Sequence, residues 1–202
     1  MFGPLSKTLQ DVVNFTWPMV FISSVILVSL RVSYIFKYRK EEKFVFYKEL
    51  LMLSFVIYIM CLFQVVTFQD DVSWYTNNFI PFKEILRYNI GSRLFFKNVL
   101  GNMLMFLPYG FFASYLLHNK KLKLSIVLTL IASFSIEFVQ IMIGRVFDVD
   151  DILLNLLGGC LGFTIYYFVD KLWEKIPKLL RREWVLNIVA LIILILFIVI
   201  LI

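Results

Sequence analysis

Histidine, cysteine and polar alternation are all scarce in this 202-residue chain, and each scarcity excludes something. Two cysteines, Cys61 and Cys160, both sit inside apolar runs, so they imply neither a disulfide framework nor a zinc site. The single histidine, His118, lies beside a lysine pair and far from the acidic residues, so it takes no role here. Ser135 has no histidine near it, and there is no GxSxG, no HExxH and no glycine-rich phosphate loop ahead of a helix. Nucleophilic catalysis of the familiar kinds is therefore unsupported. No segment alternates apolar and polar residues over about 10 positions, which argues against transmembrane barrel strands. The first 17 residues lack a basic region followed at once by a short apolar core and a small-residue cleavage site, so the first apolar run is expected to be retained.

What the chain has in excess is apolar surface: 61% hydrophobic residues, 22 phenylalanines and a mean hydropathy of +0.86. Soluble domains rarely carry so much, and the composition reads as an integral, multi-pass protein of the cell membrane. A bilayer core about 30 Å thick takes roughly 20 apolar residues per helical span. Six runs approach that length: Phe15–Phe36, Tyr47–Phe68, Asn98–Leu117, Leu122–Ile143, Asp151–Val169 and Trp184–Ile202. Each must satisfy its backbone hydrogen bonds internally, so the expected fold is all-α, a polytopic helical bundle forming one membrane domain over 1–202. Alternate connections carry 13 basic residues on one side against 6 on the other. That asymmetry places both termini outside the cell and the second and fourth loops on the same outer face. Arg31, a turn or two from the cytoplasmic end of the first span, can snorkel there. The net charge of +6 is then a topology signal and gives no reason to expect nucleic-acid binding.

The polar residues within 133–162 demand an explanation in such a chain. Glu137 lies seven residues before Gly144, about 10 Å into the outer half of the membrane at 1.5 Å per residue. Gln140 shares its helix face. Asp151 and Asn155 descend on the next span at a spacing of four, and Asn98 and Asn102 descend on the third span in the same way. Three helices thus present polar stripes at similar depths. A carboxylate at such a depth costs a few kcal/mol and marks a candidate site with a named partner; for Glu137 that partner is Arg145 or Asn102. Asp148, Asp150 and Asp151 either cap the fifth span or bind a ligand. They do not form a calcium loop, since Leu153 stands where glycine is needed and Gly159 where glutamate is needed. Asn98 and Asn102 are either interhelical ties or ligand contacts. Gly158 and Gly162 form a GxxxG pair that permits close helix approach, and Pro108 predicts a kink. In the second loop Phe82, Ile85, Leu86, Ile90 and Leu94 follow roughly helical spacing, with Lys83, Arg87 and Arg93 between them. That pattern predicts an interfacial helix attracting anionic headgroups or a lipid-linked phosphate, with Trp74 and Tyr75 in the headgroup belt.

Between Pro81 and Tyr166 the order and spacing of several pieces resemble one known family. They are Pro81-Phe82; Asn98, Gly101-Asn102, Phe106, Pro108 and Gly110; Ser135-Ile-Glu137 with Gln140; and Arg145, Asp148, Asp150-Asp151, Asn155 and Gly158-Gly159. Together they resemble the VanZ-like membrane proteins, the core lying at about 81–166 and the spans 15–36, 47–68 and 184–202 being accessory. The resemblance implies reduced susceptibility to teicoplanin-type lipoglycopeptide antibiotics in a Gram-positive cell envelope. The polar stripes of the third to fifth spans suggest an outward-facing polar cleft, and the resemblance implies that it takes a lipid-linked envelope component, a cell-wall precursor or the drug's lipid tail. The candidate ligand-binding residues are Asn98, Asn102, Glu137, Gln140, Arg145, Asp148, Asp150, Asp151 and Asn155. Membrane lipids are expected partners, and no cofactor or metal is expected. Whether the protein is an enzyme stays open, with the balance against it; the alternative is a hydrolase or transferase acting on a lipid-linked substrate with Glu137 as acid/base. A transporter ranks last, since no repeat is visible.

Overall fold

The computed structural model describes residues 45–67, 77–142 and 144–201. The expected first span, 15–36, with Arg31, and the belt residues Trp74 and Tyr75 lie outside them. Five long helices are present among the described residues: α1 (Phe46–Thr67), α2 (Arg93–Leu116), α3 (Leu122–Met142), α4 (Val149–Leu172) and α5 (Glu183–Leu201). Their limits fall within a few residues of the apolar runs, except that α2 starts earlier, where Ser92 caps it by accepting the Phe95 N–H at 3.1 Å. Arg93–Leu116, Leu122–Met142 and Val149–Lys175 are long and apolar enough to cross a membrane, and Glu183–Val199 is a shorter apolar helix.

Contacts group the described residues into two compact units. In the unit drawn from 45–67 and 174–201, α1 packs on α5, and the rings of Tyr58 and Phe197 lie 5.7 Å apart. Ser54, fully buried, returns its hydroxyl to the Leu50 carbonyl at 2.8 Å, so it adds no unsatisfied donor.

In the unit within 71–173, α4 contacts both α2 and α3, its pairing with α2 being the more extensive. Glycine makes that pairing possible. A Cβ added at Gly162 would sit 2.7 Å from the Phe111 nitrogen, and one at Gly110 would sit 2.7 Å from the Gly159 carbonyl carbon. The backbones therefore touch, as the GxxxG spacing predicts. Pro108 lies inside α2, and the neighbouring Tyr109 hydroxyl donates to the Leu128 carbonyl at 3.1 Å, tying α2 to α3.

Helix α3 has its polarity turned inward. Ser125, Thr129, Ser133, Glu137 and Gln140 are buried, whereas Val127, Ile131, Phe134, Phe138 and Ile141 are exposed. The two sets occupy opposite faces at helical spacing, the arrangement expected where the surroundings are lipid and the polar groups must be satisfied internally. The helix stops at a Schellman turn: Gly144, at φ +84°, donates to the Ile141 carbonyl, and Arg145 N–H reaches back to the Gln140 carbonyl at 2.9 Å.

One expectation fails. Phe79 to Ser92 is not a helix, and contains only a 3₁₀ turn at Ile85–Arg87. Phe82 and Gly91 both take left-handed backbone angles, φ +67° and +86°, which interrupt any right-handed helix through this segment. The apolar spacing was real, but local backbone geometry overrode it.

Candidate functional site

The end of α3, the start of α4 and the first turns of α2 meet at one end of this unit, and with them most of the polar residues singled out above. Glu137 is 1% exposed, five residues before the end of α3. Its Oε2 accepts the Asp148 N–H at 3.1 Å. With the Gln140 side-chain amide turned the way its neighbours require, its nitrogen donates to Glu137 Oε1 at 3.0 Å and its oxygen accepts from Arg145 Nη1 at 3.3 Å. The expected Glu137–Arg145 pairing is thus relayed through Gln140. Asn102, the other partner considered, goes elsewhere.

Asn102 donates its side-chain amide to Asp151 Oδ1, joining α2 to the first turn of α4. Asn98 sits in a π turn, Phe96–Leu100, and donates to the Tyr88 hydroxyl at 2.8 Å. The wider turn gives Asn98 and Asn102 separate tasks although they are four residues apart. Deeper in the unit, Asn155 donates to Ser133 Oγ at 2.9 Å between α4 and α3. This is a fully buried bond between two neutral side chains, so Asn155→Ala is expected to cost about 1 kcal/mol in thermal unfolding in detergent. Arg145 lies within electrostatic range of both Glu137 and Asp151.

Asp148 and Asp150 have different work. Asp148 caps α4, accepting the Asp150 N–H at 2.9 Å, and its Oδ1 also accepts from the Asn78 amide at 2.8 Å. Burial pushes its carboxyl above the usual range, while the Asn78 and Asp150 donors pull it back. Asp150, 1% exposed, accepts three backbone N–H groups of the second loop: Phe82 on Oδ1, Glu84 on Oδ2 at 2.7 Å and Ile85 on Oδ2 at 3.2 Å. Its carboxylate is fully engaged in holding that loop. Asn78 completes the attachment through a parallel bridge to Asp148, with Asn78 N–H on the Phe147 carbonyl at 2.8 Å and Val149 N–H on the Asn78 carbonyl at 3.0 Å.

Sequence reasoning passed over Asn78, Tyr88 and Ser133. The Ser125, Thr129, Ser133, Glu137 spacing of four would have marked Ser133 as sharing the Glu137 face. Nothing in an isolated loop asparagine or tyrosine points to its partner. Among the described residues no three His, Cys, Asp or Glu side chains converge as metal ligands.

Chemically the site divides into two parts. Glu137, Gln140 and Asp150 are buried with their polar atoms committed. Arg145, Asp148 and Asp151 keep some surface exposure, with Asp151 deeply set and one of its carboxylate oxygens taken by Asn102. Along α3 runs a groove of about 770 Å³, lined by Val127, Ile131, Phe134, Phe138 and Phe147 and reaching Glu137.

No curated protein and no solved structure matches this chain. The VanZ/LLP1 family model, however, matches residues 55–173, which extends past the 81–166 segment at both ends and includes all of the site. With more than half of its length so matched, and with the polar helix ends brought together inside the matched region, the chain belongs to the VanZ/LLP1 family.

Proposed function

We propose that this VanZ-like membrane protein lowers susceptibility to teicoplanin-type lipoglycopeptides by binding a molecule with a long apolar tail and a polar head. The observation that carries the reading is an apolar groove on α3 that reaches Glu137 and Phe147, the residue next in sequence to the acids at the start of α4. A lipid tail fits the groove, and Arg145 with Asp151 offers charge of both signs to the head. A lipid-linked cell-wall precursor and the drug's own acyl chain share this chemistry. The basic-residue asymmetry supports an outer-face site, the side on which both would be met. Glu137 has both carboxylate oxygens engaged and is almost fully buried, which favours binding over an acid/base role in hydrolysis or transfer.

The test is susceptibility of a Gram-positive host with and without the protein. Wild type should protect against teicoplanin several-fold and leave vancomycin, which has no lipid tail, nearly unchanged. Glu137→Gln and Asp151→Asn, verified as inserted, should abolish that protection. Retained protection in both variants would sink the reading. Phe147→Cys should also be labelled by an impermeant reagent from outside the cell; labelling only from the cytoplasm contradicts an outward-facing site.

A further inference from the structure

The second loop is the most unusual surface among the described residues. From Phe79 to Phe96 it exposes Phe79, Ile80, Phe82, Leu86, Ile90, Leu94 and Phe96, with Leu86 81% and Ile90 90% exposed. Isolated apolar residues on a surface are ordinary, but five in the irregular segment ahead of α2 and two more in its first turns form a patch that calls for a partner. The segment is not loosely held. Asp150 takes three of its N–H groups, Asn78 ties its start to α4, Phe79 stacks on Phe147 at 5.3 Å, and Tyr88 accepts from Asn98. Because the polar backbone is turned inward onto Asp150, the large side chains are turned outward.

Charge accompanies the patch. Lys83, Arg87, Arg93 and Lys97 stand between the apolar residues, against Glu84 as the single acid between 79 and 97. Glu84 pairs with Arg87 at 3.1 Å on an exposed surface, a contact worth little. Apolar side chains interleaved with cations, at the point where α2 enters its membrane-length run, suit one environment: the boundary where acyl chains meet anionic phosphates.

We propose that residues 79–97 form a membrane-docking platform, which seats Phe82, Leu86 and Ile90 in the leaflet and takes anionic phospholipid headgroups on Lys83, Arg87 and Arg93. The partner is the lipid surface at the end of the helices that this loop abuts. The platform differs from an amphipathic interfacial helix in how its posture is set. Hydrogen bonding to a buried carboxylate replaces the internal bonds of a helix, so the presented face depends on Asp150, which itself never touches lipid. This inference is independent of any antibiotic or precursor binding at Arg145 and Asp151.

The test uses the full chain with Cys61 and Cys160 replaced by alanine and one new cysteine, Leu86→Cys or Ile90→Cys, carrying a polarity-sensitive fluorophore. The protein is reconstituted in vesicles of equimolar phosphatidylcholine and phosphatidylglycerol. Quenching by brominated acyl chains, with little quenching by aqueous iodide, is expected at both positions. Bromine carried on phosphatidylglycerol should quench about twofold better than bromine on phosphatidylcholine, as clustered cations enrich anionic lipid. The combined variant Lys83→Gln, Arg87→Gln, Arg93→Gln should bring that ratio to parity. A label at Leu104, on the exposed side of α2, should be quenched by lipid without the preference. Quenching by iodide overturns the proposal, as does protection from both quenchers, which is what cover by protein would give. Equal quenching by the two brominated lipids in the unmodified loop overturns the headgroup assignment.

Discussion

Asp150→Ala should release the second loop and cost the fold about 2–3 kcal/mol. Three N–H groups lose their acceptor at once, and each such loss at a part-buried site is worth about 1 kcal/mol or more. Removing a carboxylate from a buried position recovers part of that, which is why the figure is not larger. The effect should also be local. Amide exchange at Phe82, Glu84 and Ile85 should accelerate far more than exchange in the middle of α4. Asp150→Asn should fall between, since one carboxamide oxygen can serve only part of what two carboxylate oxygens serve. Unchanged exchange at all three amides in Asp150→Ala would show that the loop is held by something else.

Gly162→Ala and Gly110→Ala should each lower stability by about 2–3 kcal/mol, an unusually large cost for one methyl group. The added carbon meets backbone and not a movable side chain. At Gly162 it would stand 2.7 Å from the Phe111 nitrogen, and at Gly110 2.7 Å from the Gly159 carbonyl carbon. Neither neighbour can swing aside, so α2 and α4 must separate along their whole contact. Gly101 supplies the control. A carbon there meets only the Phe96 carbonyl oxygen at 3.7 Å, so Gly101→Ala should be neutral or stabilising by up to about 1 kcal/mol. Thermal unfolding in one detergent compares all three. If Gly101→Ala and Gly162→Ala behave alike, close helix contact is not what these glycines provide.

The helices were legible from the chain because hydropathy integrates over many residues and tolerates local exceptions. The starts and ends of α3 and α4 lie close to the expected ones for that reason. The convergence of Glu137, Gln140 and Arg145 was also legible, since they lie within nine residues of one another across a single turn. What could not be read was anything depending on where a loop returns. Asp150 looked like one of three equivalent acids at a helix start, and only the path of residues 78–85, far away in sequence, gives it three amides to hold. The same path explains the failed interfacial helix. Periodicity reports which residues are apolar, but left-handed angles at Phe82 and Gly91 decide how the backbone turns between them. Asn102 illustrates a third limit: its depth was apparent, yet depth alone could not choose between Glu137 and Asp151 as its partner.

The inward polarity of α3 has a thermodynamic corollary. Apolar burial out of water gives unfolding its large heat-capacity change and makes soluble domains weaken when chilled. Here Ser125, Thr129, Ser133, Glu137 and Asn155 share the centre with Phe106, Phe112, Ile136 and Phe163, while Ile131, Phe134, Phe138 and Ile141 of α3 face outward in the folded state. Separating these helices within lipid would hydrate little new hydrocarbon. Cohesion of this unit therefore rests on enthalpy, from hydrogen bonds and glycine-mediated contact, so its stability curve should be flat with temperature and should tighten in the cold.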